Sequence, residues 1–225
     1  MEKLMDSQEQ RSFWDRHIEG WSASAYHKAK SLPLLERAAQ PFRKHLPLRQ
    51  HLAVEIVANS GATSVLELGC GTGDFAEELI GTSPTLKNYL GMDIAEPAVK
   101  EARERVQAAA GSKVKFELRT AAVEDVDPAT IGSFDFIVAL GLLPYLTDDG
   151  MRRLSAICKG KRYVMDYHPR EATLFNAVHA AYRVAKGYPF YRMYSDEDTK
   201  TLMAQSGFGP YKLISHGPLR MMQSV

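Results

Sequence analysis

The sequence predicts a doubly wound α/β domain, a mostly parallel sheet with helices on both faces, preceded by a helical cap. Three observations lead there. From Thr63 onward, short apolar runs alternate with stretches whose apolar residues recur at helical spacing. The first of those runs ends in glycines at alternate positions, Gly69, Gly71 and Gly73, and helix formers come at once after them. Residues 1–60 carry helical patterns and no strand signal.

Taken in order, Ser7 is expected to cap a helix through Ile18, with Phe13, Trp14, His17 and Ile18 at helical spacing. Pro33, Pro41 and Pro47 punctuate the next stretch, and the last opens a helix from Leu48 to about Asn59 that Ser60-Gly61 closes. Amphipathic and aromatic, residues 1–60 read as a cap on a domain spanning 61–225. Strands are expected at Ser64–Leu68, Tyr89–Met92, Val114–Leu118, Phe134–Leu140 and Tyr163–Met165. Helices fill the intervals at Gly73–Ile80, Pro97–Ala110 and Asp148–Cys158. Strands that alternate with helices pair in parallel and are buried on both faces, and right-handed crossovers make doubly wound order the economical arrangement.

After the fifth strand a helical insertion is expected at about residues 169–206. It comprises a helix from about Arg170 to Lys186, a break at Gly187-Tyr188-Pro189, and a second helix opening at Ser195 and stopping at Gly207. Asp198, three residues after Ser195, gives the spacing of a capping box. Tyr211–Ile214 and Leu219–Met222, around His216-Gly217-Pro218, read as a terminal antiparallel hairpin.

Bulk properties narrow the function. Lys+Arg 28 against Asp+Glu 27 leaves a net charge of +1, so no global field favours a polyanion and no strong nucleic-acid signal is present. No apolar run approaches the roughly 20 residues of a membrane helix, and the polar start lacks the apolar core of a signal peptide. Cys70 and Cys158 form neither a CxxC pair nor a disulfide framework, which suits a reducing compartment; a cytoplasmic location is expected. His17, His27, His45, His51, His179 and His216 share no ligand spacing, so no metal site is expected. The partner class left is a small molecule, with the oligomeric state open.

The most informative stretch is Glu67-Leu-Gly-Cys-Gly-Thr-Gly-Asp-Phe75. Without side chains at 69, 71 and 73, the backbone can turn sharply and come against a ligand over a helix N-terminus. A dinucleotide fingerprint spaces its glycines as G-x-G-x-x-G, and here Asp74 stands where the last glycine belongs. With Glu67 and Asp74 the turn is acidic, which disfavours a pyrophosphate and suits a cationic ligand. Twenty-two residues beyond Gly71, Asp93 ends the second strand, the place of an acid whose two oxygens take ribose hydroxyls.

Glu67–Phe75 together with Gly91-Met-Asp-Ile-Ala-Glu-Pro-Ala-Val99 resembles motif I and the acidic-loop motif of the class I S-adenosylmethionine-dependent methyltransferases. The resemblance covers roughly residues 62–168 and implies a Rossmann-like seven-stranded sheet with a reversed last strand, which the terminal hairpin would supply. It implies S-adenosylmethionine as cofactor, its methionine part on Glu67, Gly69, Cys70, Gly71 and Asp74, and its ribose on Asp93 beside Ile94. The family's adenine loop falls on Thr120–Val126, where Ala122 replaces a commonly acidic residue. The Val123 N–H is left to meet the ring, and Glu124 either accepts from the exocyclic amine or belongs to an ordinary acidic loop.

Leu140–Tyr145, beyond the fourth strand, is expected to border the reacting methyl group. It lacks the Asn-Pro-Pro-Tyr of amino-group methyltransferases, which points to an oxygen acceptor. His168, after the fifth strand, is the candidate general base, the alternative being a histidine that caps backbone or faces solvent. Trp14, Trp21, Tyr26, Phe42, Tyr188, Phe190, Tyr191 and Tyr194 crowd the cap and insertion, and Tyr26, Arg43 and Arg49 are candidates for the cofactor carboxylate. Residues 162–208 resemble, weakly, the magnesium-protoporphyrin and quinone O-methyltransferase group. Rival readings are an RNA or protein methyltransferase, a non-catalytic cofactor-binding subunit, and aminopropyl transfer.

Overall fold

The computed structural model describes residues 5–25, 45–129, 131–132, 134–170, 174–185, 192–217 and 219–225. Tyr26, Phe42, Arg43, Tyr188, Phe190, Tyr191, Pro33, Pro41 and the break at 187–189 lie outside the described residues, as does the Trp21 side chain. Among the described residues two helices come first, α1 (Ser7–Ala25) and α2 (His45–Asn59). Strand and helix then alternate: β1 (Ser64–Leu68), α3 (Asp74–Thr82), β2 (Asn88–Asp93), α4 (Glu96–Ala110) and β3 (Lys115–Thr120). After β3 come β4 (Phe136–Ala139), α5 (Asp148–Cys158) and β5 (Arg162–Tyr167). The helices α6 (Leu174–Ala185) and α7 (Asp196–Ser206) precede the hairpin β6 (Tyr211–His216) and β7 (Leu219–Ser224).

One seven-stranded sheet runs β3-β2-β1-β4-β5-β7-β6. The first five strands are mutually parallel, and β7 is antiparallel to both neighbours, the reversed last strand the resemblance implied. Period-two alternation divides the core cleanly. Val65, Tyr89, Val138 and Val164 face α2, α3 and α4, while Leu66, Leu90, Ile137 and Met165 face α5 and α7. Leu66 and Leu68 are fully buried, each contributing about 1.5–3 kcal/mol relative to exposure.

Helix starts refine the sequence reading. Asp6, not Ser7, caps α1: its Oδ1 accepts the Gln8 and Glu9 N–H groups (3.0 and 2.9 Å), and Glu9 returns a carboxylate to the Asp6 N–H (3.0 Å). Both residues are good caps, and the reciprocal bond with Glu9 decides between them. The helix continues past Ile18 to Ala25, and α2 starts at His45, with Pro47 in its first turn where a missing N–H is tolerated. α1 lies across the domain. Asp15 accepts from the Glu96 N–H (3.0 Å) at the start of α4, Gln10 donates to the Tyr145 carbonyl (2.9 Å), and Trp14 meets the Tyr145 ring edge-on.

The capping box of α7 forms as its spacing predicted. The Ser195 hydroxyl accepts from the Asp198 N–H (3.0 Å) and Asp198 accepts from the Ser195 N–H (2.9 Å). Ser195→Ala is therefore expected to lower stability by about 1 kcal/mol, read as a lower urea midpoint at unchanged m-value.

Candidate functional site

The strand exits of β3, β2, β1 and β4 lie side by side, where open α/β sheets bind their ligands. At the centre is the turn between β1 and α3. Gly69, Gly71 and Gly73 have φ of +76°, +51° and +84°, a region closed to most side-chain-bearing residues. Gly73 packs α3 against α4: a Cβ there would sit 3.1 Å from the Ala102 Cα. Gly71 differs, because a Cβ there would meet nothing within 4 Å. It faces open space.

Asp93 ties the turn to the next strand. Its Oδ2 accepts the Gly71 N–H and its Oδ1 the Ala95 N–H, both at 2.9 Å. A third N–H, from Ile94, also reaches the carboxylate, which keeps remaining acceptor capacity for a ligand hydroxyl. Burial raises the Asp93 carboxyl above its ordinary value, opposed by N–H bonds from Ala95, Gly71 and Ile94. Glu67 lies one pleat below on β1, 3% exposed, with its Oε2 accepting the Tyr89 hydroxyl at 2.5 Å. Burial pushes the Glu67 carboxyl up to about 8.

A second charged group closes the side toward β5. Arg49 of α2 donates to Asp166 Oδ2 (3.0 Å), and the Gly141 N–H donates to Asp166 Oδ1 (2.5 Å). The ion pair is almost wholly buried, so Arg49, a candidate for the cofactor carboxylate, already engages Asp166 through one of its nitrogens. His168 stands just past β5's exit, bonded to the Asn176 side chain and acted on by the charges of Asp166, Arg183 and Arg49. Burial lowers its pKa, so the imidazole is neutral at physiological pH.

The structure brings most of the expected residues to one crevice. Glu67, Gly69, Cys70 and Gly71 come from β1's exit, Asp93 and Ile94 from β2's, Ala122 and Val123 from β3's, and Leu140 from β4's. Two acids turn elsewhere. Asp74 accepts the Thr72 hydroxyl (2.6 Å) and pairs with Arg105 of α4 (3.2 Å), lining an outer groove of about 440 Å³ with Gln50, His51 and Glu78. Arg105 also pairs with Glu77 (3.3 Å) and Glu101 (2.9 Å), so this cluster keeps a net negative charge beside the turn. Glu124 accepts from the Thr147 hydroxyl (3.1 Å) at the cap of α5.

Two residues near the site escape the sequence reading: Tyr89 reads as an ordinary apolar strand residue, and Asn176 reaches His168 from α6. Tyr145, at the end of the segment expected to border the methyl group, is held by Trp14 and by Arg183 (3.2 Å to its hydroxyl). Only for Tyr89 does the sequence hold a signal, its alternation with Gly91 and Asp93 on one face of β2.

A family model described as a methyltransferase domain matches residues 65–160, the stretch that holds the turn, Asp93 and β4. Over that stretch the chain is similar to methyltransferase domains. Among curated relatives of this chain, a ubiquinone biosynthesis O-methyltransferase of Thiobacillus denitrificans is 33% identical over 109 residues, 48% of this chain and 44% of the relative. A ubiquinone/menaquinone biosynthesis C-methyltransferase of Geotalea uraniireducens is 24% identical over 137 residues, 59% of this chain and 57% of the relative. The chain spans about half the length of the curated relatives it matches. In fold, the chain is similar to a magnesium protoporphyrin IX methyltransferase from Synechocystis, solved with bound S-adenosylhomocysteine. Their TM-score is 0.70 at 15% identity, covering 97% of this chain and 98% of that one.

The turn passes a chemical test for that class of cofactor. Open space over Gly71, an acid beside it with free lone pairs, and a buried carboxyl beneath suit a cationic sulfur nucleoside with ribose hydroxyls.

Both buried acids have consequences for stability. Arg49→Met, which strands Asp166, is expected to cost about 3–5 kcal/mol in urea unfolding, and adding Asp166→Asn is expected to recover part of it. Glu67 binds its proton more tightly folded than unfolded, so its contribution to stability is full below about 4.5 and is lost as pH rises toward about 8. Glu67→Gln is expected to flatten the unfolding midpoint over that window.

Proposed function

We propose that this chain binds S-adenosylmethionine over the β1–α3 turn and transfers its methyl group to an oxygen of a small-molecule acceptor. The observation that carries the reading is Asp93, a carboxylate at the end of β2 that holds the Gly71 N–H beside open space. Asp93 would hold the ribose hydroxyls, the bare face of Gly71 would admit the methionine part, and Ala122 and Val123 would flank the adenine. When bound, the cofactor supplies an electrophilic methyl on a sulfonium.

The chain's own part is orientation, exclusion of water and proton handling. α1 crosses from α4 to Tyr145 and would shield the crevice from solvent, in keeping with residues 1–60 acting as a cap. Neutral His168, steadied by Asn176, can take the proton of an acceptor hydroxyl through a ring nitrogen. The similar quinone and protoporphyrin methyltransferases are named for small-molecule substrates, which supports an acceptor of that size. Buried free thiols at Cys70 and Cys158 suit the cytoplasm. Among the described residues no helix is long and apolar enough to cross a membrane.

Calorimetry with S-adenosylmethionine, S-adenosylhomocysteine and NAD tests the seat, and an acceptor screen with labelled methyl tests the transfer. Binding of the first two and not of NAD is expected. Asp93→Ala is expected to weaken binding by about 1.5–3 kcal/mol, the scale of hydrogen bonds to a charged group; unchanged affinity would remove the ribose from that place.

A further inference from the structure

Glu67 and Tyr89 form a pair that plays no part in the proposed methyl transfer. They come from adjacent strands and meet because of a third residue. In the β1–β2 register Glu67 stands opposite Gly91, two positions beyond Tyr89 on the same face. A Cβ on Gly91 would lie 2.8 Å from the Tyr89 hydroxyl oxygen and 2.5 Å from Leu118 Cδ2. The bare position therefore lets the phenol lie along β2 until its hydroxyl reaches Glu67 at 2.5 Å. Both side chains are buried, at 3% and 2% exposure, directly below the turn.

The groups that act on Glu67 come from every element around it. Burial dominates and favours the neutral acid, and the charges of Asp93 on β2 and Asp74 on α3 act in the same direction. The Tyr89 hydroxyl and the Arg49 charge from α2 favour the carboxylate. The Cys70 thiol in the turn is held neutral by burial and by these same acids. A buried acid poised between opposing influences changes state when a new charge arrives.

We propose that Tyr89 is a positioning residue holding Glu67 beneath the glycine turn as a proton-carrying pair, and that a cationic cofactor binds with release of that proton. The Glu67 O–H bond breaks, the proton leaves to solvent, and the carboxylate that remains keeps the Tyr89 hydroxyl as donor. Positive charge brought over the turn stabilises the carboxylate that burial had disfavoured. Affinity for S-adenosylmethionine then rises with pH, by up to about tenfold per unit below the free protein's Glu67 midpoint, and levels above it. With that midpoint at about 8, the rise spans neutral pH. Tyr89→Phe removes a donor that favours the carboxylate, so the rise moves to higher pH.

This inference rests on the proposed cofactor seat, and the test separates the two. S-adenosylmethionine is titrated calorimetrically into the full chain at several pH values, in buffer pairs of different ionisation enthalpy, for wild type, Glu67→Gln and Tyr89→Phe. Infrared difference spectra track the carboxylic-acid carbonyl band. The expected results are a proton released by wild type and not by Glu67→Gln, a flat affinity profile in Glu67→Gln, a profile displaced upward in Tyr89→Phe, and loss of the acid band on binding. Equal proton release and equal slopes in wild type and Glu67→Gln would overturn the pair, as would an undisplaced Tyr89→Phe profile. Should Glu67→Gln fail to fold, the wild-type infrared band and the Tyr89→Phe profile decide the matter. Binding without proton release, with Asp93→Ala still weak, rejects the pair and leaves the seat standing.

Discussion

The site depends on one carboxylate accepting backbone donors from two directions. Asp93 receives the Gly71 N–H from the β1–α3 turn and the Ala95 N–H from the start of α4, while its carbonyl receives the Ala121 N–H leaving β3. Three strand exits are thereby held in one arrangement. Without it the turn would have a buried donor to satisfy elsewhere, and the exits of β2 and β3 would lose their common anchor. An acid at the end of β2 is thus part of the scaffold that shapes the turn.

Charge is distributed around that anchor by element. Carboxyls stand beneath and beside the turn, Glu67 on β1 and Asp93 at the end of β2. Basic side chains occupy the flanks: Arg49 against Asp166 toward β5, and Arg105 against Asp74 on the outside of α3. Arg105 is shared with Glu77 and Glu101, so the outside of α3 stays acidic and the Asp74 charge still reaches Glu67. His168, whose pKa burial lowers, belongs to the β5 side, away from Glu67 and Asp93.

Much of this arrangement is legible in the residues alone, and the misses share a cause. Apolar runs bounded by helices mark β1 to β5, and the Ser195–Asp198 spacing marks the start of α7, because strand burial and capping are local properties. Gly71 and Asp93 are legible for the same reason, a turn and a strand end at set spacing. The Asp74–Arg105 pair is not legible, because Arg105 is distant in sequence and reaches Asp74 only once α3 packs on α4. Tyr89 is opaque for a related reason. Its hydroxyl has a purpose only when the β1–β2 register sets Glu67 opposite a glycine. Asp6 and Ser7 are equivalent as caps until Glu9 completes the reciprocal bond with one of them.

The placement of β7 bears on how the chain acquires its structure. It is inserted between β5 and β6, and Met221 and Met222, with no exposed surface, fill opposite faces of the sheet there. Synthesis from the N-terminus delivers these residues after every other strand. Until they leave the ribosome, the nascent polypeptide presents β5 as a bare apolar edge, the kind of surface that chaperones shield and that neighbouring chains can join. The anchor at Asp93 needs only β1 to β3, so the ligand crevice can assemble while that far edge is still open.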